Sequence, residues 1–251
     1  DDEINLGDLV GVLVENRWLI IAITLAALML GGFKAFTATP IYRADGMLQV
    51  EEKSSGLANL DVATMLENPS PVAGEIEILR SRSVLGSVVD KLKLDIEVWP
   101  EYAPLVGEAL ARRMPDDERP MARVDTLDVP DSWRGVSMQL IVAGRDGFEL
   151  RDADGDTITR GTVGQVVTHE LPGGETLTLF VSALQGDDGQ VFWISRIPRI
   201  WAIDALKGNL NVSERGDWSG ILGISVEGAS PASVTDQVNE LANVYVRQNV
   251  E

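Results

Sequence analysis

From Trp18 to Phe33 the chain reads WLIIAITLAALMLGGF, without a charge, and carrying the run on to Ala38 crosses only Lys34. The resulting 21 residues match the roughly 20 that a helix needs to cross about 30 Å of hydrocarbon. Trp18 sits at one edge, where an indole favours the interface. Lys34 sits near the other, where its stem can run along the helix and its ammonium can reach the headgroups. Trp18 and Lys34 are therefore the expected membrane anchors. A buried core helix and a cleaved signal peptide share this pattern. A signal peptide begins with a basic stretch, however, and residues 1–17 hold Asp1, Asp2, Glu3, Asp8 and Glu15 against Arg17 alone. Lys and Arg do not decide the orientation, with Arg17 on one side and Lys34 and Arg43 on the other. Ahead of the span, Asn5 and Asp8 have capping spacing, and Leu6, Val10 and Leu13 share a face. That segment is either an interfacial helix or the first turns of one long helix.

Beyond the span the periodicity changes repeatedly. Thr39-Pro40 stops the helix. IYRADGMLQVEE (41–52) alternates at Tyr42, Ala44, Leu48 and Val50 and predicts a strand. Residues 53–69 read as a loop with a short helical piece. Ser70-Pro71 opens a helix whose stripe is Ile78, Leu85, Val89 and Leu92. A shorter helix fits Pro104 to Met114. Short β runs then follow at 136–143, 147–152, 156–161, 175–183 and 190–196. Arg145-Asp146-Gly147, Asp154-Gly155, Pro172-Gly173-Gly174 and Asp188-Gly189 separate them as turns. Strands near 209–214 and 220–227 return to the first region. Ser230-Pro231 opens a last helix with Val234, Val238, Leu241 and Tyr245 at a/d-like spacing.

The expected fold class is α+β. An N-terminal transmembrane helix precedes a mixed helix and strand base, into which a small antiparallel β region is inserted. The expected parts are residues 1–17 before the span, 18–38 as the span, 39–123 as a membrane-proximal α/β region, 124–198 as the β insertion, and 199–251 as return strands and the start of a long helix. The chain begins at Asp1, not at Met, and its last helix shows no stop signal before Glu251, which predicts a piece of a longer polypeptide.

Composition narrows the function. At 251 residues and 45% apolar, the chain can bury a substantial core. A formal net charge of -18 repels phosphate backbones, so nucleic acid is set aside as a partner. With no cysteine, disulfides, thiolate metal sites and cysteine nucleophiles are excluded. His169 is the one histidine and lies in a β run, where an ordinary strand residue is expected. Asp152, Asp154 and Asp156 resemble the start of a calcium loop, yet that loop needs Gly sixth and Glu twelfth, and Thr157 and Val163 stand there. A hairpin turn is expected instead. No phosphate-binding Gly-Lys-Ser or Gly-Lys-Thr and no Gly-x-Ser-x-Gly elbow occurs. The expectation is therefore no catalytic, metal or cofactor residue in this piece. Six tryptophans, Trp18, Trp99, Trp133, Trp193, Trp201 and Trp218, invite sugar stacking, but their dispersal favours packing. The cluster Glu75, Glu77, Arg80 and Arg82 is either a solvated face with pairs Glu77–Arg80 and Glu75–Arg82 or a polar seam between subunits.

INLGDLVGVLVENRWLIIAIT, TPIYRADGMLQVEE after the span and EIEILRSRSVLGSVVDKLKL together resemble the Wzz-type chain-length determinants, polysaccharide co-polymerases of bacterial inner membranes. GNLNVSERGDWSGILGISVEG and SPASVTDQVNELANVYVRQNVE resemble the larger members, in which an extra β region lies between the helices and a cytoplasmic tyrosine autokinase often follows a second span. The resemblance covers both ends of the chain, and the middle is less diagnostic. It implies a cytoplasmic N-terminus, a periplasmic soluble domain, and a last helix that continues as a hairpin to a second span. It also implies a homo-oligomeric ring, an octamer in the larger class, that controls the length and export of exopolysaccharide or capsule. The implied partners are lipid, a polysaccharide polymerase, an outer-membrane export channel and the nascent polymer. ATP and Mg enter only with a kinase domain, whose nucleotide-binding motifs are absent from this piece. The alternatives are the regulatory part of a tyrosine autokinase, and a periplasmic adaptor of a transport complex or a sensor ectodomain.

Overall fold

The computed structural model describes residues 11, 13–50, 72–115, 117–171, 173–216 and 219–250. The reading of 53–69, the caps at Asn5 and Asp8, the positions of Leu6 and Val10, the Ser70-Pro71 start and Trp218 lie outside the described residues. The chain divides into two compact units, 1–39 with 102–114, and 40–101 with 115–251.

In the first unit, helix α1 (Arg17–Thr37) is the apolar run, one residue earlier than the sequence suggests. None of its residues is buried. The Thr24 hydroxyl donates to the Ile20 carbonyl at 2.8 Å and that of Thr37 to Phe33 at 3.0 Å, so neither needs water as an acceptor. The helix ends as Ala38 turns extended ahead of Pro40.

In the second unit, β1 (Tyr42–Gln49) and α2 (Ala73–Leu79) lead to α3 (Arg82–Leu92). The single helix expected to carry Ile78, Leu85, Val89 and Leu92 is corrected here. Arg80 ends α2, and Ser81, extended at ψ 149°, caps α3 by accepting from the Val84 amide at 3.3 Å. The break shifts the apolar face: Leu79 is fully buried while Ile78 is 41% exposed. Strand β2 (Ile96–Pro100) follows, and helix α4 (Gly107–Ala111), shorter than the 104–114 expected, belongs to the first unit.

Two antiparallel sheets then share one core. Strands β3 (Met121–Asp128), β4 (Ser137–Ala143), β5 (Gly147–Arg151), β6 (Thr157–Thr162), β7 (Val166–Glu170), β8 (Thr176–Gln185) and β9 (Val191–Arg196) form, with β2, a five-stranded sheet ordered β2-β9-β4-β5-β6 and a three-stranded sheet ordered β3-β8-β7. Their inner faces meet through Leu127, Met138, Leu140, Phe148, Leu179 and Phe192, among others. The β4–β5 turn takes its positive φ at Gly144 (72°), not at Gly147, which is already paired with Ala143. A Cβ on Gly161 would strike the Phe148 ring and come within 2.6 Å of Val167, so the ring lies on bare β6 backbone.

After β9 the chain forms α5 (Arg199–Asn209), which the sequence reading left within the return-strand region. Strands β10 (Leu210–Glu214) and β11 (Ile221–Gly228) do return to β1, in the order β1-β11-β10. Helix α6 (Pro231–Val250) begins where Ser230 accepts from the Ser233 amide at 3.4 Å, and lies across this sheet. It approaches so closely that a Cβ on Gly46 of β1 would fall 2.8 Å from Val238, and one on Gly228 of β11 2.9 Å from Val234. The second core lies here, between this sheet and the buried faces of α3, α5 and α6. Mixed helices and antiparallel sheets with one apolar N-terminal helix are thus the architecture.

Candidate functional site

The side chains singled out from sequence fall on four helices, α1, α2, α3 and α6. Trp18 stands 73% exposed in the first turn of α1 and Lys34 lies in its last turn. Length and composition make α1 the one helix among the described residues able to cross a membrane.

Val234, Val238, Leu241 and Tyr245 are all buried, at 6% exposure or less, together with Val244. Their stripe packs into the same core as Leu85, Val88 and Val89 of α3 and Leu222, Ile224 and Val226 of β11. Within this chain the stripe therefore serves the fold.

The cluster on α2 and α3 is divided by the break at Arg80. Glu75 is half-buried, and its Oε2 accepts the Tyr245 hydroxyl at 2.8 Å, so its partner is a tyrosine of α6 and not Arg82. Glu77 and Arg82 are exposed and Arg80 is half-exposed. Elsewhere α3 and α6 bound an open groove of about 420 Å³ lined by Lys91, Glu240, Asn243, Val246 and Arg247. Arg247 donates to Glu240 at 2.9 Å along its α6 wall.

Several charged groups that sequence reasoning did not single out hold elements in place. Arg199 at the start of α5 grips both oxygens of Asp90 on α3 at 2.7 Å. Its hydrogen bond holds the Asp90 carboxyl below its ordinary pKa, and Arg199 is correspondingly raised. Arg199 also lies over Gly86, where a Cβ would meet its guanidinium. Asp95, 5% exposed, pairs with Arg196 at 2.8 Å, and Arg196 donates onward to the Leu127 carbonyl at 2.8 Å. The other Asp95 oxygen, Oδ1, is buried without a protein partner. On the outer face of the five-stranded sheet, Glu149 accepts from Arg151 at 2.9 Å, from the Thr157 hydroxyl and from Arg160 at 3.4 Å. Led by the Arg151 bond, these lower its pKa to about 2. Glu101 accepts the Trp193 indole N–H at 3.1 Å, and Trp193 stands opposite Trp99 in the register.

Asp152 forms a turn: its Oδ1 accepts the amides of Asp154 at 3.0 Å and Asp156 at 2.8 Å. Its carboxylate is thus engaged by backbone, as a hairpin turn requires. His169 pairs with Leu177 in the β7–β8 ladder. Among the described residues, no group of three or more His, Cys, Asp or Glu side chains is placed to hold a metal ion.

The strands and helices of the base and the β insertion carry two different family signatures. Residues 2–92 match the model of the chain length determinant protein, Wzz. Residues 96–197 match the N-terminal domain of the tyrosine-protein kinase Wzc. The boundary between them falls where α3 gives way to β2. The putative tyrosine-protein kinase EpsB of Ralstonia nicotianae is 35% identical over all of this chain and 35% of its own length. The putative tyrosine-protein kinase AmsA of Erwinia amylovora is 34% identical over 98% of this chain and 33% of its own. The tyrosine-protein kinase wzc of Salmonella typhi is 32% identical over 99% of this chain and 34% of its own. The chain thus spans about a third of the length of these relatives.

Proposed function

The chain belongs to the Wzz chain-length determinant family and carries the N-terminal domain of the Wzc tyrosine-protein kinases, and from that premise we propose that it is the membrane-anchoring and assembly part of a polysaccharide co-polymerase. In this reading α1 crosses the bacterial inner membrane, with Trp18 and Lys34 at its two interfaces. The residues beyond it face the periplasm and assemble with identical copies into a ring. The ring controls the length and export of an exopolysaccharide or capsule, alongside a polymerase and an outer-membrane channel. The observation that carries the proposal is the consecutive placement of the two family signatures over residues 2–92 and 96–197, with the wholly unburied apolar helix α1 inside the first.

Membrane confinement concentrates subunits in two dimensions, so individually weak lateral contacts suffice to close a ring. Glu77 and Arg82, exposed on the α2–α3 corner, and the half-exposed Arg80 supply a polar contact of that kind. Glu75 holds that corner to α6. The names of the relatives favour a second, compatible role, in which this part regulates a tyrosine autokinase carried on the same polypeptide. ATP and Mg would then be cofactors of that kinase domain, not of these residues.

The experiment is to extract the full-length membrane protein in detergent and measure particle size and symmetry by electron microscopy. A ring for the native protein, and smaller particles with unchanged circular dichroism for the Arg80→Glu, Arg82→Glu double variant, are expected. A monomeric native particle overturns the proposal. A ring of unchanged size in the double variant removes these residues from the contact.

A further inference from the structure

We infer that Tyr102–Met114 is a second membrane contact, a short foot lying in the headgroup layer beside the end of α1. The inference rests on α1 spanning the bilayer. Although these residues sit between β2 and β3 in sequence, they cluster with α1 and not with the sheets.

The attachment is specific. The last carbonyls of a helix lack intrahelical donors, and at the boundary of hydrocarbon that deficit has to be met within the protein. Arg112 meets it: Nη1 donates to the Ala38 carbonyl at 2.9 Å and Nη2 to Thr37 at 3.4 Å. Arg113 stacks on Phe36 at 4.0 Å from the ring centre while donating to Ala109 at 2.8 Å. Thr39 donates to Glu108 at 3.3 Å. Two guanidinium groups at the end of a spanning helix stand at the depth of lipid phosphates.

The outward side of the same element is apolar. Val106, Leu110 and Met114 recur four residues apart and are 36%, 52% and 44% exposed. Leu105 is 81% exposed and held at a positive φ of 70°, a conformation costly for a side chain with a Cβ. Apolar side chains exposed on an element bound to the end of a membrane helix, together with its arginines, fit the boundary between headgroups and acyl chains. The occupant of this face is lipid because the element is held to the end of α1, whose Phe33 and Phe36, within four residues of the attached Thr37 carbonyl, are 48% and 38% exposed.

This chain has no cysteine, so in a full-length background whose other cysteines are replaced by serine, single cysteines report depth. Leu110→Cys, Leu28→Cys and Glu175→Cys, each in the full-length protein and carrying an environment-sensitive fluorophore, are reconstituted into phosphatidylethanolamine–phosphatidylglycerol vesicles. Nitroxide lipids labelled high on the acyl chain are expected to remove most of the Leu110→Cys signal, those labelled near the bilayer centre most of the Leu28→Cys signal, and neither the Glu175→Cys signal. Adding Leu105→Asp and Val106→Asp to Leu110→Cys should abolish the shallow quenching and leave the Leu28→Cys result unchanged. If Leu28→Cys is quenched and Leu110→Cys is not, the foot is overturned and the span stands. Shielding of Leu110→Cys from both lipid nitroxide and aqueous iodide also overturns it, assigning the face to a neighbouring copy. If neither position is quenched, α1 does not span, and both readings fail.

Discussion

The Tyr245 hydroxyl of α6 lies 2.8 Å from the Glu75 carboxylate of α2, joining residues 170 positions apart. Through this bond the last helix, which already covers the three-stranded sheet, also fixes the short α2 and with it the charged corner at Arg80.

Tyr245→Phe keeps the buried ring and removes the bond. A hydrogen bond to a charged carboxylate contributes about 1.5–3 kcal/mol, so urea unfolding should show a loss of that size, with faster amide exchange confined to α2. Leu241→Ala, at a fully buried position of the same helix, should cost more, about 2–5 kcal/mol, because a cavity is added to the lost transfer energy. Equal losses for the two variants would show that the hydroxyl bond is coupled to the whole core.

Gly86→Ala sets two effects against each other. Alanine gains about 1 kcal/mol over glycine in a helix interior. The new methyl displaces Arg199 from Asp90, an exposed pair of the sort that contributes about 0.2–1 kcal/mol. Because the obstructing group is the free end of a long side chain, stability should stay within about 1 kcal/mol of the native protein. The Asp90 pKa should rise as its guanidinium leaves, which a carbon-detected NMR titration reads directly. An Asp90 pKa that does not move would mean Arg199 is not displaced.

Glu149 sets a pH window. Its folded pKa of about 2 lies below the unfolded value of about 4.3. A depressed acid contributes stability that is complete above the unfolded pKa and is lost as pH falls through the folded one. Denaturant midpoints should therefore fall between about pH 4.5 and pH 2, and Glu149→Gln should flatten that part of the profile. Glu149→Gln should also leave the midpoint at pH 2 close to that of the native protein, since there about half of the native carboxylates are protonated and most of their contribution is gone.

Elements with an undisturbed period were legible. β4, β5, β8 and β9 alternate cleanly, and α6 shows its buried stripe, its capping Ser230 and Pro231. β3 was not legible, because register shifts around Val124 and Thr126 put its buried Val124 and Leu127 three apart instead of two. The break at Ser81 was hidden because Leu85, Val89 and Leu92 kept helical spacing with Ile78 across it. α5 buries only Ala202, Ile203 and Leu206, too narrow a face to stand out, although Pro198 directly before it was an available start signal. Of the candidate site residues, the exposure of Trp18 and the spacing of the α6 stripe followed from sequence. The Tyr245–Glu75 bond and the arginine caps of α1 did not, because each joins segments that only the fold brings together.

The chain leaves the base after Leu92 and comes back to it at Arg199, and between these points it holds Ile96 directly beside Arg196 in the β2–β9 ladder. Asp95 ties the two crossings with its carboxylate on Arg196 and its carbonyl on the Ile197 amide. The sandwich is thus a cassette whose two splice points touch. Its strands can be exchanged or enlarged while the helices and return strands of the base keep their connections, provided Tyr102–Met114, which caps the end of α1, is retained. That freedom gives a lineage a direct way to vary the sandwich without redesigning the core packed under α6.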